Sequence, residues 1–382
     1  MKIAIITFSE FKDNYGQILQ AYALQEFFRK KNIEAGHIRF TRLKSSPEKV
    51  SPKRKKATFA LKGELRSFIV RNIIVPYRNL LNKRFRKQYP VSFADFEQKY
   101  IRFYPRVYDC LADLQKYPPE AECYVCGSDQ IWNTGTSANS RAFYLDFGGP
   151  EIKRIAYAPS FGRSQLPLDD SPFYQEQLSR LDKISVRELE GIGICKRLGF
   201  DATQVIDPSF LLTKTDYLKL CQDSSIASSD IFCYFLNFRS SKEVYWKCIL
   251  SYCHSKSYSC NVTIASGAYP AMGLLRNAVY KGYEPQDWLK AIDQCQYMIT
   301  NSFHGLAFAI IMEKPFLVIP LNGSAAKMNG RISSLLSLLN LEDRLYNPQR
   351  PLAEQIEAPI DWESVASILE SERRKSANFL EI

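Results

Sequence analysis

The feature that most constrains the fold is an alternation of short, continuously apolar runs with longer amphipathic segments. Apolar runs cover residues 2–8, 121–128, 153–162, 183–188 and 203–212. Runs of this kind are typical of parallel strands that are covered on both faces. The segment at residues 17–32 instead spaces its apolar side chains as a helix does. The alternation predicts an α/β fold with doubly wound sheets.

The chain divides near residues 210–230, where the sequence becomes polar at QDSSIASSD before the alternation restarts. Its 382 residues also exceed what one hydrophobic core usually serves. We therefore expect an N-terminal Rossmann-like domain over residues 1–212 on the acceptor side and a C-terminal one over 213–360 on the donor side. Residues 361–382 read as one amphipathic helix that packs across both lobes.

The net charge of +11 is concentrated in one segment. Between Arg42 and Arg106, 18 Lys and Arg residues stand against four acidic residues, which gives this segment +14 and the remainder −3. We predict a basic helical insert at about residues 44–115 in the N-terminal lobe. It is either a solvated helical face, a helix drawn to anionic lipid, or a nucleic-acid patch. No nucleic-acid motif accompanies it, so we favour an anionic membrane surface and expect no nucleic acid as partner.

Targeting and cysteine patterns point to the cytoplasm. No apolar run approaches the roughly 20 residues that span a bilayer, and residues 2–8 are too short for a signal-peptide core. The ten cysteines are scattered in apolar stretches, which is typical of reduced, buried thiols. Cys123 and Cys126 lack a second cysteine pair, so we predict no metal site there. We expect a cytoplasmic protein that binds peripherally to the inner face of the membrane.

His304 is the histidine most suited to chemistry. It lies in the hexapeptide 300–305, TNSFHG, between a predicted strand and a predicted helix. Hydroxyl and backbone N–H groups at a helix N-terminus can hold an anion, and a neighbouring histidine can transfer protons near neutral pH. A helix cap with a buried structural histidine is the alternative interpretation.

Other polar residues follow predicted strands and should share this edge, because ligands of open α/β sheets bind beyond the carboxyl ends of the strands. Arg187 follows the run 183–186, and its planar fork suits a carboxylate or phosphate, although an ion pair with Glu188 explains it equally well. Two further turns are candidates for substrate binding or for plain capping. They contain Asn14 and Gly16, and Ser128, Asp129 and Gln130.

Seven motifs, in order along nearly the whole chain, resemble those of the polysaccharide pyruvyl transferase family. They are NYGQILQAYALQ (14–25), GSDQIWN (127–133), RIAYAPSFG (154–162), SVRELEGI (185–192), VIDPSFLL (205–212), ITNSFHGLAFAIIMEKPF (299–316) and NGRISSLL (329–336). The resemblance implies two Rossmann-like lobes in a GT-B-like arrangement with the donor in the cleft. It also implies transfer of pyruvate from phosphoenolpyruvate to two hydroxyls of a sugar in a cell-surface polysaccharide precursor, as a cyclic ketal, with release of phosphate.

The resemblance assigns roles to individual residues. It makes His304 the general acid/base and Arg187 a ligand of the donor anion, while Ser302, Phe303 and Gly305 shape the phosphoenolpyruvate site. No cofactor or metal is implied beyond phosphoenolpyruvate as donor substrate. The implied acceptor is a lipid-linked oligosaccharide.

The chain departs from the family at one position, since some members have arginine where Ser302 stands. We expect Arg331 or Lys314 to supply the cation instead. Two other classes of function stay open at this point. One is a GT-B-type glycosyltransferase that uses a nucleotide sugar, and the other is a sugar-binding protein without catalysis.

Overall fold

Two parallel sheets organise the computed structural model, which describes residues 1–11, 14–41, 72–73, 75–89, 91–264 and 273–381. The first sheet has the order β3-β2-β1-β4-β5-β6-β7 and the second the order β10-β9-β8-β11-β12. Their strands are β1 (Lys2–Ile6), β2 (Glu34–Phe40), β3 (Phe103–Tyr108), β4 (Cys123–Cys126), β5 (Lys153–Ala156), β6 (Lys183–Val186), β7 (Thr203–Gln204), β8 (Ile231–Phe235), β9 (Cys260–Ile264), β10 (Val279–Tyr280), β11 (Tyr297–Thr300) and β12 (Phe316–Val318).

Helices cover both faces of each sheet. In the described ranges they are α1 (Tyr15–Lys30), α2 (Val75–Gln88), α3 (Ala94–Tyr100), α4 (Leu111–Lys116), α5 (Ser171–Leu178), α6 (Leu189–Arg197), α7 (Lys214–Leu220), α8 (Trp246–Lys256), α9 (Pro285–Gln294), α10 (Phe303–Ile311), α11 (Asn329–Leu338), α12 (Leu352–Ile356) and α13 (Trp362–Phe379). The chain thus forms two Rossmann-like lobes in a GT-B-like arrangement, which confirms the predicted fold class.

The first strand shows why the apolar runs contain no polar alternation. Ile3 and Ile5 point to one face of the sheet and pack in one core cluster, whereas Ala4 and Ile6 point to the other face and pack in a second cluster. Successive side chains of a strand always lie on opposite faces. A strand that is buried on both faces therefore needs apolar residues at every position.

Apolar contacts hold the two lobes together beside helix α1. The ring of Tyr15 stacks on that of Trp288 with centroids 4.9 Å apart, and the Tyr15 hydroxyl donates a hydrogen bond to the Tyr283 carbonyl oxygen at 2.6 Å. Helix α13 contacts both lobes as well. Its Ser376 hydroxyl accepts a hydrogen bond from the backbone N–H of Ile206, while its N-terminal half packs in the core cluster that contains α10.

Two predicted elements differ from the structure. The strand predicted over residues 203–212 ends at Gln204, and Pro208–Leu211 form a 3₁₀ turn. The ladder ends because the N–H of Ile206 donates to the Ser376 hydroxyl instead of to a strand. The turn follows because Pro208 has no N–H to donate and the carboxylate of Asp207 accepts from the N–H of Ser209. The predicted helical insert contains helices α2, α3 and α4, but residues 103–108 form the edge strand β3. Residues 42–71, 74 and 90 lie outside the described part.

The cysteines of β4 cannot share a metal ion, because Cys123 and Cys126 pack in clusters on opposite faces of the sheet. Burial raises the pKa of the Cys123 thiol to about 12. Within the described ranges, no helix combines the length and the apolar character that a bilayer crossing requires.

Candidate active site

The polar residues that follow the strands of both lobes meet in the cleft. Gly16 lies at the start of α1 in the first lobe, and His304 lies at the start of α10 in the second. The imidazole rests directly on the glycine, since a Cβ added to Gly16 would lie 2.1 Å from Nδ1 of His304. The two lobes therefore touch at the residue that is best suited to proton transfer.

Asp207 is the hub of the polar cluster. Its Oδ2 accepts hydrogen bonds from Arg187 Nη1 at 2.9 Å and from the Ser128 hydroxyl at 2.8 Å, while Oδ1 accepts from the N–H of Ser209 at 3.0 Å. His304 Nε2 lies 3.8 Å from Oδ2. This distance is too long for a hydrogen bond, so the contact is purely electrostatic. Burial raises the pKa of Asp207, but His304, Arg187 and the Ser209 N–H together bring it below its usual value.

Arg187 is buried between carboxylates and an aromatic ring. Besides its bond to Asp207, its Nη2 lies 3.5 Å from Oε1 of Glu188, and its Cζ lies 4.3 Å from the ring centroid of Phe303. Burial lowers the pKa of Arg187, but Glu188 and Asp207 raise it further, so the net shift is upward. The structure shows the ion pair with Glu188, and Nε of Arg187 has no hydrogen bond to any described residue.

Arg331 approaches the same aromatic ring from the second lobe. It lies in the first turn of α11, and its Cζ is 5.9 Å from the Phe303 centroid. Burial, reinforced by the charge of Arg187, lowers the pKa of Arg331 to about 10, so the guanidinium stays protonated at neutral pH. Phe303 thus contacts two arginines from different lobes, and the carboxylates of the cluster offset part of their charge.

Three basic side chains of this cluster retain buried nitrogen atoms without a hydrogen bond to any described residue. They are Nε of Arg187, Nε of Arg331 and Nε2 of His304. An unpaired buried donor costs about 1–3 kcal/mol, and more when the group is charged. An oxyanion with several oxygen atoms would satisfy such a donor set at once.

Several residues that were predicted to bind the substrate cap or pack the helices that carry the cluster. The Ser302 hydroxyl caps α10 by accepting from the N–H of Gly305 at 3.3 Å. Gly305 packs on β11, since an added Cβ would lie 2.3 Å from the hydroxyl oxygen of Thr300. Asn14 caps α1 through the N–H of Gln17 at 3.2 Å. These residues fix the helix ends that bring His304 and Gly16 together.

Asp129 and Gln130 border the cluster from the turn after β4. Asp129 adopts a left-handed backbone with φ of 73° and accepts a hydrogen bond from Gln17 Nε2 at 3.0 Å. Burial raises the pKa of Asp129, but nearby His304 and the two arginines lower it overall. Gln130 reaches across the cleft, where its Nε2 lies 3.9 Å from the sulfur of Met328.

Lys314 does not belong to this arrangement, which corrects the expectation that it supplies the missing cation. It follows the C-terminal end of α10, whereas His304 and the cluster lie at the N-terminal end. A nine-residue helix is about 13 Å long at 1.5 Å per residue. Arg331 is the candidate that the fold does bring to the cluster.

Sequence reasoning missed Asp207 altogether, because it lies inside an apolar run that reads as a strand. The signal that marks it is the dipeptide Asp207-Pro208, since Asp before Pro favours a turn. Among the residues that the structure describes, no three or more His, Cys, Asp or Glu side chains group closely enough to hold a metal ion.

An inter-lobe cavity of about 400 Å³ adjoins the cluster. Glu188 and Arg331 line it, and Arg331 also lines a smaller pocket together with Arg187, Asp207 and Phe303. The cluster is therefore connected to a space large enough for small molecules.

Two facing Rossmann-like lobes, with a polar cluster of arginines, carboxylates and His304 between them, form a two-lobed α/β fold of GT-B-like arrangement. Residues 14–323 match the family model "Polysaccharide pyruvyl transferase", and the chain belongs to that family. The match includes His304, Asp207 and Arg187 but ends before Arg331.

Similar solved structures include UDP-GlcNAc 2-epimerase from Neisseria meningitidis bound to UDP-GlcNAc, with 10% identity, 99% of this chain and 94% of that chain covered and a TM-score of 0.47. Another is UGT89C1 of Arabidopsis thaliana, which is 11% identical with a TM-score of 0.48. The match covers 99% of this chain and 97% of that chain. No curated protein matches the chain. The family assignment therefore rests on the family model.

Proposed function

We propose that this protein transfers the pyruvate group of phosphoenolpyruvate to two hydroxyls of a sugar, forming a cyclic ketal and releasing phosphate. The acceptor is a sugar of a cell-surface polysaccharide precursor. The observation that carries the proposal is the set of three buried nitrogens of Arg187, Arg331 and His304 that lack a hydrogen bond to any described residue in the inter-lobe cleft. Membership of the polysaccharide pyruvyl transferase family supplies the donor and the product class.

The donor set suits phosphoenolpyruvate because this molecule carries a carboxylate and a phosphate close together. Arg187 from the first lobe and Arg331 from the second each have an unpaired Nε, and both lie over the ring of Phe303. An anion between them would accept hydrogen bonds from both Nε–H groups. Because the two arginines belong to different lobes, donor binding also holds the cleft closed.

His304 acts as acid and base in this scheme. Protonated His304 gives its proton to the methylene carbon of phosphoenolpyruvate, which makes the adjacent carbon cation-like. The first sugar hydroxyl adds to that carbon and returns its proton to His304. The second hydroxyl displaces phosphate, which leaves with the second hydroxyl's proton. One proton thus ends in the new methyl group and the other on phosphate.

Asp207 stabilises the positive charge on His304 during this cycle. Its pKa lies below the usual range, so the carboxylate stays ionised at neutral pH. Its Oδ2 lies 3.8 Å from Nε2, so it offsets the imidazolium charge without accepting a hydrogen bond from the proton that must be transferred. The same carboxylate holds Arg187 in place, which links donor binding to the acid.

The described part of the basic insert supports an association with the membrane surface, where a lipid-linked acceptor would be presented. Ile73, Tyr77 and Leu80 are about 60% exposed, at 59%, 62% and 63%. They are followed along α2 by exposed Lys83 and Arg84. An apolar face next to cations suits a surface of anionic lipid. Arg66, Phe68, Ile69 and Arg71 lie outside the described residues.

The test compares donors under the same conditions. The wild-type protein is incubated with either phosphoenolpyruvate or UDP-GlcNAc and a panel of methyl and lipid-linked glycosides. Phosphate release and the mass of the sugar product are followed. We expect phosphate and a pyruvylated sugar in equal amounts with phosphoenolpyruvate. Consumption of UDP-GlcNAc with phosphoenolpyruvate left intact would identify a glycosyltransferase instead.

Two variants that each remove one cation sharpen this test. Arg331→Ala removes a cation over Phe303, whereas Lys314→Ala removes one beyond the far end of α10. We expect the KM for phosphoenolpyruvate to rise at least tenfold in Arg331→Ala, on the order expected for a lost charged hydrogen bond. We expect Lys314→Ala to keep the wild-type value. Equal donor affinity in both variants would remove Arg331 from the donor site.

A further inference from the structure

The inter-lobe cavity of about 400 Å³ has a lining that the donor does not explain. The first lobe contributes Phe161, Arg163, Gln165 and Glu190, and the second contributes Gly330 and Arg331. Its volume falls in the range of about 300–1,000 Å³ that is usual for small-molecule sites. Both lobes therefore enclose a space next to the donor cluster.

Glu190 is the feature of this cavity that points to a ligand. It lies in the first turn of α6, and its Oε2 is buried without a hydrogen bond to any described residue. Its Oε1 faces the second lobe, since a Cβ added to Gly330 would lie 2.7 Å away. A buried carboxylate oxygen without a partner is costly, and a hydroxyl donor would satisfy it.

The chemistry of the lining distinguishes between ligands. Two arginines, Arg163 and Arg331, and two glutamates, Glu188 and Glu190, line the cavity, so its formal charges balance. A neutral polyol suits this balanced set, because its hydroxyls both donate and accept. Arg163 and Gln165 provide donors, Glu190 provides an acceptor, and Phe161 provides an apolar ring edge. This mixture of a few polar groups with an aromatic side chain suits a sugar ring.

We propose that this cavity is the acceptor subsite, and that Glu190 holds the sugar by accepting a hydrogen bond from one of its hydroxyls. The inference rests on the proposed function. Arg331 lines both the cavity and the pocket that contains Arg187 and Phe303. An acceptor bound beside Glu190 therefore lies against the arginine that contacts the donor, which is where a hydroxyl must be to attack the pyruvyl carbon.

The test separates acceptor binding from donor binding in Glu190→Gln, with Glu342→Gln as the control. Glu342 is an exposed glutamate that does not line the cavity. The methyl glycosides of galactose, glucose and mannose serve as acceptors. We expect the acceptor KM to rise about tenfold or more in Glu190→Gln, the scale of a lost charged hydrogen bond, with an unchanged KM for phosphoenolpyruvate. Wild-type values for both substrates are expected in Glu342→Gln.

Saturation-transfer NMR with the same glycosides tests the subsite without turnover. We expect transfer from the wild type and from Glu342→Gln, and loss of transfer from Glu190→Gln at an unchanged melting temperature. Gly330→Ala, whose new methyl group displaces Glu190 Oε1, should weaken transfer as well. Equal transfer to wild type and Glu190→Gln, or none from the wild type to any glycoside, would overturn the subsite. Failure of the proposed function would instead appear as a lack of phosphoenolpyruvate consumption while sugar binding persists.

Discussion

The contact between Gly16 and His304 gives the sharpest mutational prediction. In Gly16→Ala, the new methyl carbon would lie 2.1 Å from Nδ1 and 2.2 Å from Cγ of the imidazole, whereas ordinary van der Waals contact begins near 3.4 Å. The ring must therefore move by more than about 1 Å, a displacement that can cost on the order of 100-fold in rate when a catalytic group is misplaced. We expect a comparable loss of kcat.

The effect on stability should be much smaller than the effect on rate. Overpacking typically costs about 1–3 kcal/mol, while alanine is a better helix former than glycine by up to about 1 kcal/mol. Gly16 belongs to α1 and has no positive φ, so the helix itself accepts alanine. The net loss in the free energy of unfolding should be about 0–3 kcal/mol, as measured by urea denaturation.

A double-mutant cycle assigns the loss to the contact itself. In a His304→Ala background the imidazole is absent, so Gly16→Ala should no longer destabilise the protein or lower its residual activity. Gly193→Ala is the matched control, because this glycine also lies in a helix and its Cβ would meet only Arg197 Nη1 at an ordinary 3.4 Å. Wild-type turnover in Gly16→Ala would refute the geometry on which the proposed mechanism depends.

Three further predictions test the site and the basic insert. His304→Ala should keep the fold and lower pyruvyl transfer by about 100-fold or more in a phosphate-release assay, and near wild-type turnover would exclude it as acid/base. Arg187→Lys keeps the charge but loses the planar fork, so the KM for phosphoenolpyruvate should rise; overlapping donor titrations would make Arg187 purely structural. The protein should sediment with anionic but not neutral vesicles, and both high salt and charge reversal should abolish this. The reversed residues are Lys53, Arg54, Lys55, Lys56, Lys83, Arg84, Arg86 and Lys87, of which the first four lie outside the described part. Equal sedimentation with both lipids would leave the insert as a solvated region.

The fold class was predictable because parallel strands that are buried on both faces leave a strong pattern in the sequence. The run around Ile3 to Ile6 is apolar at every position, and each face packs in its own cluster. The extent of β7 was not predictable from the same pattern. There the N–H of Ile206 donates to Ser376, and Asp207 and Pro208 begin a turn within an apolar run. Hydrophobicity does not register these hydrogen bonds.

Part of the candidate site was visible in the sequence, but Asp207 and the spatial arrangement of the site were not. The motif around His304 and the arginine after β6 are visible in the sequence, because polar residues after apolar strands stand out. The contact of His304 with Gly16 joins positions at opposite ends of the chain, and only the packing of the two lobes creates it. Lys314 is close to His304 in sequence, but the two residues lie at opposite ends of α10. Closeness in sequence therefore did not predict closeness in space.

The proposed mechanism is tested most directly by tracing the proton that His304 delivers to phosphoenolpyruvate. The reaction of phosphoenolpyruvate with an accepted glycoside is run in D₂O, and the methyl group of the product is examined by NMR. We predict one deuterium in each new methyl group and phosphate release equal to ketal formation. In His304→Ala, the methyl signal and the phosphate release should be lost together. A ketal that forms at the wild-type rate without His304, or a sugar product that carries no pyruvyl methyl group, would contradict it.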